Sequence, residues 1–376
     1  SLSQQARELF ARVVEVAHSS CGELPPLRLF GGASFQVGGA RDALWESFGD
    51  ASFSLPRWLY GRSSQGAFLR LTLSAEEARD TTRVAAELDV LDESFRAAER
   101  AFTESEIPAW TLDEMPPSAW AALVDDALVQ FRNGTLGKAV GARRSHLRAE
   151  NPLSLRAALR RMGSAYPSCI RFAIGRAGSV FLGATPERLI TLRGRFFALD
   201  ALAGSLPRRD GGPERLLSSD KDRREHAYVV EAIRAALSPR CIEFSAADEP
   251  GILALPNLYH LHTPIRGQLS RDEGILGLVE ALHPTPAVCG HPRDLAAEWI
   301  SRREPCPRGW YAGPVGWFDA RGDGAFAVGI RSALVRGAEA WLYVGAGLVE
   351  GSEPSKEYAE TAAKQSVMLS ALVGAR

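Results

Sequence analysis

The sequence predicts an α+β fold. Three observations point there. Strand-like segments occur as neighbouring pairs joined by tight turns, helical segments are interspersed among them, and 45% of the 376 residues are hydrophobic, enough for a large core. Neighbours joined by tight turns pair antiparallel, which argues against a doubly wound parallel sheet.

The part up to about residue 110 mixes one helix, in the opening stretch SLSQQARELFARVVEVAHSS, with short strand-like pieces such as residues 68–73. Helical patterns follow at about residues 87–104 and 118–132. SCIRFAIG and SVFLGA flank the turn Gly175-Arg176-Ala177-Gly178, and RLITLRG and RFFALDAL flank Gly194, so both pairs read as hairpins. The loop GSLPRRDGGPE leads to a helix that Ser219 can cap, with Asp222 three residues on and an apolar line through Val229, Val230, Ile233 and Leu237. AFAVGIRSALV and AWLYVGAGLV, joined by Arg336-Gly337-Ala338-Glu339, read as a third hairpin. A last helix starts near Pro354, a favoured first-turn residue, and runs to about Leu372.

Composition excludes several classes. Lys and Arg number 44 against 45 Asp and Glu, without a basic block, so neither nucleic acid nor an anionic membrane is an expected partner. There is no apolar run of 18 residues, so no spanning helix is expected, and the opening stretch lacks the apolar core of a secretory signal. Cys21, Cys169, Cys241, Cys289 and Cys306 are odd in number and scattered, which fits a reducing cytoplasm rather than a disulfide framework or zinc site.

Some residues invite a chemical role. Glu225 lies four residues before Val229, on the buried stripe of its helix. Glu360 is in line with Lys364, Val367 and Ala371, and Glu357 shares its face. Buried carboxylates need a partner. Internal ion pairs, Glu360 with Lys364 and Glu225 with an Arg or Lys, would supply one. Mg²⁺ held by carboxylates, water and substrate oxygens would supply another. Lys138 stands among small and apolar residues in GTLGKAVGARR, and a buried lysine can be held neutral and act as a base. Glu187, beside Arg188 in GATPERL, reads from its neighbours as a surface pair, the usual role of such a glutamate. GAGLVEG is not a dinucleotide fingerprint, because the third glycine is misplaced and no helix starts directly. Glycines there, and in Ala203-Gly204-Ser205, let backbone N–H groups approach an anion.

Taken together, GKAVGARR, FLGATPERL, ALAGSLPR, SSDKDRREHAYVVEAI, LYHLHTPIRG, ALHPTPAVCGHPRD, EPCPRGWYAGPVGW, VGIRSA and YVGAGLVEGSEPSKEYAETAAK resemble the chorismate-utilising enzymes, the family of anthranilate synthase component I. They occur in the family's order from Lys138 to Lys364; LFGGASF and LWESFG…FSLPRWLYG resemble it less tightly. The resemblance implies the family fold, a large layered antiparallel β-sandwich flanked by helices around a central active-site cleft. It also implies one chorismate-binding domain over residues 1–376, with a looser part at 1–110 and a catalytic part at 111–376, where length alone suggests two or three domains. Aminating members carry Gln where Lys138 stands, and aminodeoxychorismate synthases carry a nucleophilic lysine where Ala203 stands. The chain therefore resembles the water-using branch, and the wording ALAGS and HPTPAV is closer to isochorismate synthases than to salicylate synthases.

That resemblance implies a mechanism. Water attacks C2 of the chorismate ring, the double bond shifts and the C4 hydroxyl leaves. Lys138 matches the base and Glu187 the acid, which must hold a proton near neutral pH. Glu225 and Glu360 match Mg²⁺ ligands, with Glu357 close by through bound water. Tyr311, Arg331, Gly347 and Lys364 match positions that hold the side-chain carboxylate, and Gly204, Ser205, His260 and Thr263 match pocket-lining positions. The implied enzyme is a monomer without a glutaminase partner. Three rivals stand beside it: a salicylate synthase, which would release pyruvate; an aminating subunit, against which Lys138 and Ala203 argue; and a non-catalytic chorismate binder, which has no need of both acid and base. The wording RGWYAG leans toward menaquinone synthesis rather than a siderophore or salicylate route.

Overall fold

The computed structural model describes residues 2–16, 24–64, 66–100 and 109–374. Along the chain the strands are β1 (Arg28–Ala33), β2 (Ala51–Ser54), β3 (Trp58–Ser63), β4 (Gly66–Leu71), β5 (Trp110–Asp113), β6 (Lys138–Ala149), β7 (Ile170–Arg176), β8 (Ser179–Thr185) and β9 (Arg188–Arg193). They continue with β10 (Phe196–Pro207), β11 (Cys241–Ala246), β12 (Gly251–Ala254), β13 (Leu258–Leu269), β14 (Gly290–His291), β15 (Pro314–Asp319), β16 (Gly324–Val328), β17 (Ser332–Arg336) and β18 (Glu339–Leu348). The helices are α1 (Leu2–Phe10), α2 (Thr81–Arg100), α3 (Pro117–Arg132), α4 (Leu155–Ala165), α5 (Pro213–Leu217), α6 (Asp220–Leu237), α7 (Ile275–Leu282), α8 (Arg293–Arg303) and α9 (Pro354–Val373).

The strands form two large sheets. One runs β11-β13-β10-β9-β16-β15-β1-β2, with β12 also on β13; the other runs β14-β6-β18-β17-β8-β7, with β5 also on β6. The hairpin β3–β4 stands apart. All pairings among the described residues are antiparallel, as the α+β reading requires. The sheets share one core: Ala201, Leu189 and Phe326 from the first cluster with Ala139, Phe181, Leu334 and Tyr343 from the second, joined by Trp120 of α3 and Val229 and Ile233 of α6. A separate cluster, Leu147, Leu182 and Leu342 with Met162 and Leu372, seats α4 and α9 on the second sheet.

The first two predicted hairpins form as β7–β8 and β9–β10. The third is corrected. AFAVGIRSALV is not one strand: β16 belongs to the first sheet and β17 to the second, and only β17 forms the hairpin with β18. The chain crosses between sheets at Gly329-Ile330-Arg331, where Arg331 takes a positive φ of 50°. Gly329 is the mark of the crossing in the sequence, but a lone glycine within a strand-like run reads as a bulge rather than as a change of sheet. The helix expected at residues 87–104 begins earlier, at Thr81, and residues 101–104, like Cys21, lie outside the described residues. Among the described residues no helix is long and apolar enough to cross a membrane.

Candidate active site

The ends of several elements meet at one cleft. Nine of the thirteen residues singled out in the sequence line it: Glu187, Gly204, Ser205, Glu225, His260, Tyr311, Arg331, Gly347 and Lys364. Lys138, Glu357 and Glu360 stand behind this wall, each tied to it by electrostatic contact. Thr263 does not reach it. Side chains alternate along a strand, so Thr263 faces away from His260 on β13, and its Oγ1 bonds Nε2 of His226 at 2.9 Å.

Lys138 opens β6 and is fully buried. Its Nζ lies 3.2 Å from Oε1 of Glu225, an ion-pair distance, although the amine makes no well-directed hydrogen bond there. Glu225 is brought to it by α6, whose start is fixed by Ser219 Oγ accepting from the Asp222 N–H, as the sequence predicts. A Cβ on Gly347 would collide with the Glu225 carboxylate, so only glycine in β18 leaves it room. Burial pushes the Glu225 carboxyl up, but Lys138, Lys221 and Lys364 outweigh it and hold the group below its usual range.

Glu187 follows β8 in the Thr-Pro-Glu turn, with its N–H donating to Thr185 Oγ1. It is 5% exposed, and burial pushes its carboxyl up to about 8, with Lys138 the largest opposing charge. The surface-pair reading of Glu187 fails on this burial. A carboxyl so placed keeps its proton at neutral pH and can serve as an acid.

The opposite part of the wall is cationic and aromatic. Arg331 starts β17's approach and is buried. Tyr311 stacks on Tyr343 at 5.3 Å between ring centroids, and Tyr343 accepts a hydrogen bond from Trp45 Nε1 at 3.0 Å. Lys364 on α9 donates to the Gly345 carbonyl at 3.1 Å and pairs with Glu360 at 2.5 Å.

Glu225, Glu357 and Glu360 are the carboxylates proposed for a metal. Each has a lysine: Lys138, Lys221 and Lys364 respectively. Burial and then repulsion from Glu360 push Glu357 up to about 7, so these acids feel one another. Hard carboxylate oxygens in mutual repulsion suit Mg²⁺, and the Glu225 carboxylate lies against the Gly347 backbone, where a side chain would displace it. Among the described residues no three His, Cys, Asp or Glu side chains form a ready-made cage. The ion pairs and the metal ligands are therefore alternatives for the same three groups.

Sequence reasoning missed several neighbours. Lys221 lies four residues before Glu225 on α6, so helical spacing could have found it. Arg308 lines the cleft and clamps it: its guanidinium bonds Glu304 and the carbonyls of Val288 and Val140, while Glu304 accepts from Ala142 N. That pair lies in a loop, where a spacing of four carries no signal.

The family profile described as "Chorismate binding enzyme" matches residues 1–373. The chain belongs to the chorismate-binding enzymes. Within them it is 37% identical to the salicylate biosynthesis isochorismate synthase of Pseudomonas aeruginosa, over 99% of this chain and 80% of that one. It is 35% identical to the isochorismate synthase MenF of Bacillus subtilis, over 96% and 77%. Among solved structures, the menaquinone-specific isochorismate synthase MenF of Escherichia coli superposes with a TM-score of 0.76 at 29% identity, over 92% and 79% of the two chains. Anthranilate synthase component I of Streptococcus pneumoniae reaches 0.79 at 20% identity, a likeness of fold. This chorismate-binding enzyme thus has the mixed, antiparallel architecture of its relatives.

Proposed function

We propose that this chorismate-binding enzyme is an isochorismate synthase, adding water at C2 of chorismate and expelling the C4 hydroxyl. One observation carries the reading. A buried acid, Glu187, lines the cleft, a buried amine, Lys138, stands just behind its wall against Glu225, and Ala203 occupies the position where a nucleophilic lysine would stand. The names of the relatives support it.

In this reading Lys138 takes a proton as water oxygen bonds to C2. The ring double bond shifts, the C4–O bond breaks, and Glu187 delivers its proton to the departing oxygen, so one water enters and one leaves. With the roles exchanged the same groups run the reverse reaction, so conversion stops at an equilibrium. For Lys138 to act, its ion pair with Glu225 must first be relieved. Arg331, Tyr311, Gly347 and Lys364 hold the side-chain carboxylate, with the guanidinium fork able to bind both oxygens. Glu225, Glu360 and Glu357 would hold Mg²⁺, which when bound offsets the charge of the ring carboxylate and draws electrons from the ring. Gly204, Ser205 and His260 line the pocket. The enzyme acts as a cytoplasmic monomer without a glutaminase subunit, and its product serves menaquinone or a siderophore or salicylate route.

The test is a product assay on chorismate with Mg²⁺ that resolves isochorismate, salicylate, pyruvate and anthranilate. Partial conversion to isochorismate is expected. Stoichiometric pyruvate and salicylate would make the chain a salicylate synthase, and ammonia-dependent anthranilate would remove it from the water-using branch.

A further inference from the structure

His260 lines the cleft but takes no part in the proton transfers above. Its ring is fixed at both nitrogens. Nε2 lies 3.1 Å from Nη2 of Arg331, and Nδ1 lies 2.9 Å from Ser205 Oγ and 3.2 Å from the Gly204 carbonyl. A guanidinium only donates, so Nε2 is the bare nitrogen. A carbonyl only accepts, so the ring proton sits on Nδ1. The two ends select one neutral tautomer, and an imidazolium would turn an N–H against the guanidinium. Burial first, then Arg331 and Lys364, hold the imidazole well below its ordinary range, in keeping with that geometry.

Arg331 has reason to be held. It sits where the chain crosses between sheets, with φ at 50°, a region that side-chain-bearing residues seldom occupy. Its Nη1 is buried and has no hydrogen-bond partner among the described residues. A buried guanidinium N–H without a partner is costly, and an anionic oxygen in the cleft would satisfy it. The support on the far side of His260 is equally specific. β10 bulges between Ala203 and Ser205, with Gly204 at φ +73°, and this irregularity presents the carbonyl and the hydroxyl to Nδ1.

We propose that His260 is a positioning residue: locked by the Gly204–Ser205 bulge as the Nδ1–H tautomer, it accepts from Arg331 and aims the free guanidinium nitrogen at a substrate carboxylate. Gly204 and Ser205 then act on the substrate through His260. This rests on the reading of chorismate as the ligand, so the test has two arms. The first needs no substrate. Nitrogen-15 NMR of the histidines, with His260 assigned by its loss in His260→Gln, should show the Nδ1–H tautomer unchanged from pH 5.5 to pH 8 (a working range of about that width for histidine titration). An Nε2–H tautomer or an imidazolium in that range would overturn the proposal whatever the substrate is. The second arm is steady-state kinetics. His260→Leu should raise KM for chorismate about tenfold or more, the scale of a lost hydrogen bond to a charged group, with a smaller effect on kcat and both limbs of the pH profile intact. His260→Gln, whose amide oxygen can take the place of Nε2, should recover most of the loss, and the shorter His260→Asn should not. A kcat-only defect with a missing pH limb would make His260 a proton carrier instead. Equal behaviour of Gln and Asn would also defeat positioning, and these two variants keep the test open if His260→Leu does not fold. Wild-type enzyme inert toward chorismate would refute the substrate, while the NMR arm would still decide the tautomer.

Discussion

Glu187 carries its own pH signature. Its carboxyl is raised from an ordinary 4.5 to about 8, so between those values the folded chain keeps a proton that the unfolded chain has lost. The stability from this group is fully present below the unfolded value and is lost as pH rises through the folded one. Glu187→Gln removes the dependence, so its Tm relative to wild type should climb as pH goes from 5 toward 8, bounded by the values about 4.5 and about 8. A constant difference would mean that Glu187 is ionised in the folded enzyme. As an acid it must be protonated, so wild-type kcat should fall above about pH 8. Glu187→Ala and Lys138→Ala should each lose about a hundredfold or more in kcat. Lys138→Gln should lose turnover yet still bind chorismate, measurable by calorimetry; turnover near normal would assign the base elsewhere. From its own surroundings Lys138 was legible only as a candidate base among small and apolar residues, and Glu187 was not legible as a catalyst at all. Glu187 beside Arg188 reads as a surface pair, and burial, the fact that decides it, comes from strands distant in sequence. The family strings supplied what local pattern lacked. Thr263 shows the converse: a string places it near the pocket, and strand alternation turns it away.

The encounter of α6, β18 and α9 sets the carboxylate cluster. Helical spacing placed Glu225 inward and the Ser219 cap at the helix start, and both hold because they are local properties of one element. Spacing left ion pairs and Mg²⁺ as open alternatives, and the lysine partners Lys138 and Lys221 come from β6 and the first turn of α6. Gly347 links these elements, since any side chain there meets Glu225. Gly347→Ala should displace that carboxylate, weaken Mg²⁺ binding by calorimetry about tenfold or more, the usual scale for disturbing a metal-site neighbour, and leave the circular dichroism unchanged. Undiminished Mg²⁺ affinity would remove Glu225 from the ligand set. Chelation with EDTA should abolish turnover in wild type, and full activity after chelation would refute the metal role. The broken strand at Gly329–Arg331 was not legible, because the segments on both sides are buried almost throughout and read as one strand while the hydrogen-bonding partners change.

At the scale of the molecule, β1, β2 and Trp45 tie part of the segment before residue 110 to the catalytic part, while the β3–β4 hairpin stands apart. β1 pairs with β15 and adds β2 to the edge of the first sheet. Trp45 is fully buried and reaches the cleft through Tyr343 and Tyr311. We therefore propose one cooperative domain. Thermal unfolding should show a single transition by calorimetry, lowered and not split by Trp45→Ala, which should cost about 3–5 kcal/mol as a large-to-small core change. Two transitions would divide the chain near residue 110. The α+β class was legible because hairpins are local, whereas the membership of β1 beside β15 joins segments far apart in sequence and leaves no local mark.

The central claim is that the oxygen at C2 of the product comes from solvent. Incubation of the enzyme with chorismate and Mg²⁺ in ¹⁸O-labelled water, with mass spectrometry of early isochorismate, tests it directly. The account predicts one solvent oxygen per molecule, on C2. Unlabelled isochorismate would show that the C4 hydroxyl migrates within the ring, and would contradict the assignment of Lys138 as the base that activates water.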